Sequence, residues 1–98
     1  MRALTWDEFA DAAGTVYGVT AGEERLELTL EQAQELAFAG RAPSSFRLEF
    51  LGPCDPVLPQ AIYPLQRGAD VLEMFIVPIA RDDKGTRYEA IFTTAQPA

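Results

Sequence analysis

Between residues 71 and 93 the chain runs Val-Leu-Glu-Met-Phe-Ile-Val-Pro-Ile-Ala, then the polar Arg-Asp-Asp-Lys-Gly-Thr, then the alternating Arg-Tyr-Glu-Ala-Ile-Phe-Thr. Two apolar, strand-forming segments around a Gly-containing polar turn predict a β-hairpin. In the first strand Val71, Phe75, Val77 and Ile79 share one face, while Leu72, Met74 and Ile76 share the other. Both faces are apolar, so both call for cover, whether from the rest of the domain, an identical neighbour or another partner.

The same period of two recurs upstream. Leu26, Leu28 and Leu30 alternate with Glu27, Thr29 and Glu31, and Phe46, Leu48 and Phe50 repeat the pattern. Val16 to Thr20 reads as a strand interrupted by Gly18, with Ala-Gly-Glu-Glu as its turn. Residues 32–40 fit two readings: a continued strand, or a short helix capped by Thr29 and Gln32 and ended by Gly40. Residues 52–59 carry three prolines and form a rigid irregular connection. Pro64, in a short strand over 62–66, and Pro78, in the hairpin, each imply a sheet edge or a bulge. At the N-terminus Thr5 and Glu8 have capping-box spacing, which predicts a short helix over 6–13, stopped by Gly14, that docks Trp6 and Phe9 on the body. No internal repeat is evident. The expected fold is therefore α+β and mostly β: a short N-terminal helix packed on a curved antiparallel sheet, or small partly open barrel, of five to six strands.

The order of landmarks in the C-terminal half resembles a family of small bacterial domains of unknown function. It consists of Phe-Arg-Leu-Glu-Phe-Leu-Gly-Pro over 46–53, Leu58-Pro59-Gln60, Tyr63 with Leu65, Glu-Met-Phe-Ile-Val-Pro over 73–78, and Tyr-Glu-Ala-Ile-Phe over 88–92. The N-terminal Leu-Thr-Trp-Asp-Glu-Phe matches more loosely, and the segment 32–42 is longer than in the family. The resemblance implies a β-rich fold and favours strand near Leu28 and Leu30. It brings no activity and no catalytic residues.

With 98 residues, 48% of them hydrophobic and 23% charged, the chain has the composition of one globular domain, 1–98, ending in a short flexible tail. The formal net charge of −7 disfavours nucleic acid and anionic membrane surfaces as partners. No apolar run is long enough for a transmembrane helix, the N-terminus carries charge where a signal peptide needs an apolar core, and one cysteine suits a reducing compartment. A cytoplasmic protein is expected.

The chain contains no histidine, which removes the commonest general base and metal ligand. Cys54 lies beside Asp55, a neighbour that disfavours a thiolate, so a packed or idle cysteine is expected. Asp82 and Asp83 are explained by turn chemistry and lack the ligand spacing of a calcium loop. Arg47, Glu49, Glu73, Arg87 and Glu89 occupy outward strand positions suited to cross-strand ion pairs. No catalytic, cofactor-binding or metal site is expected, and the chain reads as not an enzyme.

The functional expectation is a non-enzymatic interaction or assembly module that binds a protein partner or itself. Its candidate face comprises Pro59, Gln60, Tyr63, Phe75 and Val77. Gln60 and Tyr63 have a competing structural use, in satisfying the backbone of the proline-rich loop and packing at its rim. The alternative function is a small-molecule carrier with an apolar pocket near Trp6, Tyr17, Tyr63 and Phe92.

Overall fold

The computed structural model describes residues 8–36 and 45–93, which contain six strands: β1 (Val16–Ala21), β2 (Glu24–Leu36), β3 (Ser45–Gly52), β4 (Ala61–Arg67), β5 (Asp70–Asp82) and β6 (Gly85–Thr93). They close into an antiparallel barrel in the order β1-β2-β3-β6-β5-β4. The sheet expected to be curved or partly open is thus shut on itself, which removes its free edges.

Closure depends on the two long strands. β2 pairs with β1 through residues 24–29 and with β3 through 29–36, while β5 pairs with β4 through 70–76 and with β6 through 77–82. Each contains a register shift, between Leu30 and Gln32 in β2 and between Pro78 and Ala80 in β5. A bulge bends its strand and increases local twist, so one strand can serve two walls of a barrel. The irregularity expected at Pro78 is the second of these. The first explains the ambiguity of residues 32–40. With Glu31 as the extra residue, Leu30 and Ala33 both face β3's inward positions, Phe50 and Leu48, three residues apart as on a helix. The strand continues to Leu36, and residues 37–40 lie outside the described part.

The two halves repeat one plan although their sequences do not. In each, a strand turns on a two-residue loop whose first residue is a glycine at positive φ, Gly22 at 63° or Gly68 at 60°. No described non-glycine residue has positive φ, so both loops have the II′ pattern that suits the twist of a hairpin. A long bulged strand and a third strand follow. The halves join along the whole of β3 and β6, and on the other side only at Gly18 with Gln66 and Val19 with Leu65. This narrow seam ends beside Pro64, a residue with no N–H to donate.

The expected N-terminal helix is not formed in residues 8–13. Ala12 N–H donates to the Phe9 carbonyl at 3.1 Å and Thr15 N–H to the Ala12 carbonyl at 3.0 Å, which makes tight turns rather than a helical ladder. Gly14 N–H then bonds the Leu30 carbonyl at 2.7 Å, and Leu30 N–H the Thr15 carbonyl at 2.9 Å, so the segment is captured by β2. Two turns of helix have little stability of their own, and pairing with a strand wins. The fold is all-β in the described residues rather than α+β. Docking does occur as expected for Phe9, fully buried against Phe46 and Phe92, whose rings stack at 4.8 Å. Thr5 and Trp6 lie outside the described residues.

Inward side chains of all six strands make one core, including Tyr17, Leu28, Leu30, Phe46, Leu48, Phe50, Leu65, Met74, Ile76 and Tyr88. β5 and β6 meet β3 closely at Gly85, where φ is 144° and an added Cβ would press on the Gly52 carbonyl oxygen.

Candidate functional site

Period-2 alternation places every second side chain of β4, β5 and β6 on the outside of the barrel. Leu72, Met74 and Ile76 of β5 are buried, whereas Val71 and Phe75 are 57% and 51% exposed. On β4 Tyr63 and Leu65 turn inward, so the parity sends Ile62 outward, where it is 65% exposed and directly opposite Phe75. Gln66 lies opposite Val71, and Pro64 opposite Glu73. On β6 Ile91, 58% exposed, stands two residues beyond Glu89, whose partner Val77 stands two residues from Phe75. Outward apolar positions therefore form a row across three strands, with Ile62 and Phe75 at its centre. The second apolar face of β5 remains uncovered by the described residues.

The neighbouring wall, formed by β3 and β6, is chemically different. Glu49 lies opposite Glu89, a pairing that repels unless cations intervene. Arg47 bonds Glu89 at 2.9 Å and Glu49 at 3.1 Å; Arg87 bonds Glu31 at 2.7 Å, approaches Glu49 at 3.4 Å and lies 3.7 Å from Asp82. Partial burial would lower Arg47's proton affinity, but the hydrogen bonds it donates to Glu49 and Glu89 outweigh it and hold the guanidinium above its ordinary value. Arg87 is likewise held up, chiefly by its bond to Glu31. Asp82 is held below the usual carboxylate range, first by the Lys84 N–H bond at 2.9 Å and further by Arg87. Four of the five residues expected to pair do so, joined by Glu31 and Asp82, while Glu73 stands apart on the β4–β5 wall. Carboxylates held this way are compensated charges.

The proline-rich connection, residues 53–60, folds against the barrel and is stitched to it. Tyr88 Oη accepts from Leu58 N–H at 2.9 Å, Tyr63 Oη donates to the Pro59 carbonyl at 2.7 Å, and Arg81 pairs with Asp55 at 2.9 Å. Cys54 Sγ lies 3.3 Å from the Asp82 carbonyl and is half-buried, in keeping with a packed cysteine. The five residues of the expected face are thus divided. Pro59, Gln60 and Phe75 are exposed, Val77 is half-buried on the outer wall, and Tyr63 is a core residue whose hydroxyl anchors the loop. The anchoring role foreseen for Gln60 belongs instead to Tyr88, which sequence reasoning missed. Ile62 was missed too, because its outward position follows from the inward turn of Tyr63 and Leu65, which the sequence alone does not give.

Tyr17 and Tyr63, two residues of the expected ligand pocket, are packed within the core. Burial pushes both phenols above their ordinary value. Among the described residues the Tyr17 hydroxyl has no partner in hydrogen-bonding geometry, although Arg67 lies close to it, its guanidinium carbon 5.9 Å from the ring centre, and partly offsets the effect of burial. A shallow depression of about 520 Å³ lies elsewhere, between Arg25, Leu26, Glu27 and Pro53. Among the described residues no three His, Cys, Asp or Glu side chains gather as a metal site, and no helix is long and apolar enough to cross a membrane.

Comparison with known proteins bears out the resemblance to a domain of unknown function. The family described as a domain of unknown function (DUF6916) matches residues 4–92. No curated protein and no solved structure matches the chain. With nearly its whole length covered, the chain belongs to this family of domains of unknown function.

Proposed function

We propose that this domain is a non-enzymatic binding module that engages a protein partner through the outer wall of β4 and β5. The observation that carries this reading is the directly opposed pair Ile62 and Phe75, each more than half exposed, with Val71 on the same face. Isolated exposed apolar residues are ordinary, but a contiguous row on one sheet face is a feature of interaction surfaces. The row is convex, as the outside of a barrel must be, which suits a protein better than a small molecule that needs a concave site. An apolar pocket near Trp6, Tyr17, Tyr63 and Phe92 gains less support, because Tyr17 and Tyr63 already fill the core.

The test is affinity capture with the tagged domain from its host's lysate, alongside Ile62→Asp and Phe75→Asp forms shown to be folded by circular dichroism. A partner retained by the native domain and lost by both variants supports the module. The same set of proteins captured by all three forms would overturn it.

A further inference from the structure

Glu73 lies between Val71 and Phe75 on the outer face of β5, opposite Pro64 and two positions along the strand from the opposed pair Ile62 and Phe75. Among the described residues its carboxylate forms no ion pair. The contrast with the adjoining wall is direct. There Glu31, Glu49, Glu89 and Asp82 are all met by Arg47 or Arg87, whereas the face formed by Ile62, Pro64, Gln66, Val71, Glu73 and Phe75 contains no cation. Covering this face removes water from a carboxylate, which is costly unless the covering surface brings the opposite charge.

That requirement selects among occupants. An isologous contact between two copies would bring two Glu73 carboxylates into one apolar patch with no cation of the patch to meet them, on chains that each carry −7. A partner that places Lys or Arg between apolar side chains satisfies the carboxylate and the apolar row together, and the net charge of this domain draws it in. Resting on the reading of this wall as a binding surface, we infer that its occupant is a basic protein segment, with a Lys or Arg set against Glu73 and aliphatic or aromatic side chains set against Ile62, Val71 and Phe75.

The experiment is selection of a phage-displayed library of random ten-residue peptides on the native domain, on Phe75→Asp and on Glu73→Lys, with sedimentation velocity of the native and Phe75→Asp proteins. Peptides kept by the native domain are expected to be enriched about tenfold in Lys or Arg flanked by apolar residues, the scale of a charge pair at the edge of full desolvation. They should be lost on Phe75→Asp, and on Glu73→Lys the enrichment should pass to Asp or Glu. Recovery that is equal on native and Phe75→Asp domains would overturn the binding surface itself. Peptides that need Phe75 but show no preference for cations, or the same preference on Glu73→Lys, would leave the surface standing and overturn the basic partner. A native dimer that Phe75→Asp returns to monomer would assign the wall to a second copy and overturn it equally.

Discussion

The β3–β6 wall and the β4–β5 wall belong to one barrel and are built from the same alternation, yet they treat exposed positions in opposite ways. On β3–β6 the outward carboxylates Glu49 and Glu89 face each other and are bridged by Arg47, with Arg87 extending the network to Glu31 and Asp82. That wall is complete in water. On β4–β5 the apolar outward positions Ile62, Val71 and Phe75 surround Glu73, which has no ion pair among the described residues, so both the apolar area and the carboxylate face solvent. The difference shows that burial of the core does not account for every apolar residue in a strand. One face of β5 fills the core, and the other is largely exposed.

The largest test breaks both walls at once. Gly85→Ala forces a Cβ against the Gly52 carbonyl and a strained backbone at the hairpin that joins β5 to β6, and should cost about 4 kcal/mol or more in denaturant unfolding. Within β5 the comparison sharpens. Ile76→Ala, on the buried face, should cost about 3 kcal/mol, while its neighbour Phe75→Ala should change stability by less than about 0.5 kcal/mol. An equal loss from the two would mean that Phe75 serves the fold and not a partner.

The charged positions come next. Arg47→Ala leaves Glu49 and Glu89 facing each other unbridged and should cost about 1 to 2 kcal/mol, less at high salt, whereas Glu73→Ala should be neutral in the same urea titrations. The smallest effects concern two tyrosines. Tyr88→Phe deletes the acceptor of the Leu58 N–H and should cost about 1 kcal/mol, while Tyr17→Phe, which removes a buried hydroxyl with no geometric hydrogen-bond partner among the described residues, should be neutral or slightly stabilising. Tyr17's phenol is raised in the fold, so its contribution is intact below the ordinary tyrosine value near pH 10 and declines above it, as the unfolded chain releases the proton first. Unfolding curves from pH 8 to 11 should therefore show stability falling at the alkaline end, and less steeply in Tyr17→Phe.

Much of the fold was legible because alternation is a local property. The inward sets Leu26, Leu28, Leu30 and Phe46, Leu48, Phe50, and the two-faced strand at 71–80, can be assigned from side-chain parity alone. The helix over 6–13 was misread because capping-box spacing is equally local, whereas the bonds that hold Gly14 and Thr15 to Leu30 join residues far apart in sequence. That Phe75 and Val77 share a face was legible for the same reason, whereas the inward turn of Tyr63 depends on where β4 sits between β1 and β5.

By itself the sequence determined that the chain is β-rich, that it contains no histidine with which to run the commonest acid–base or metal chemistry, and that β5 has two apolar faces. Only the tertiary structure decided which of those faces is buried, that the sheet closes, and which carboxylates are compensated. Parity distinguishes two sides of a strand without saying which side is inside. Closure depends on bulges at Glu31 and Ile79 that pass long strands from one partner to the next, and ion pairs depend on register between strands remote in sequence. Glu89 and Glu73 look alike in the sequence as outward acidic residues flanked by apolar ones. They differ because Arg47 lies beside the first across β3 and β6, while β4 brings Pro64 to the second.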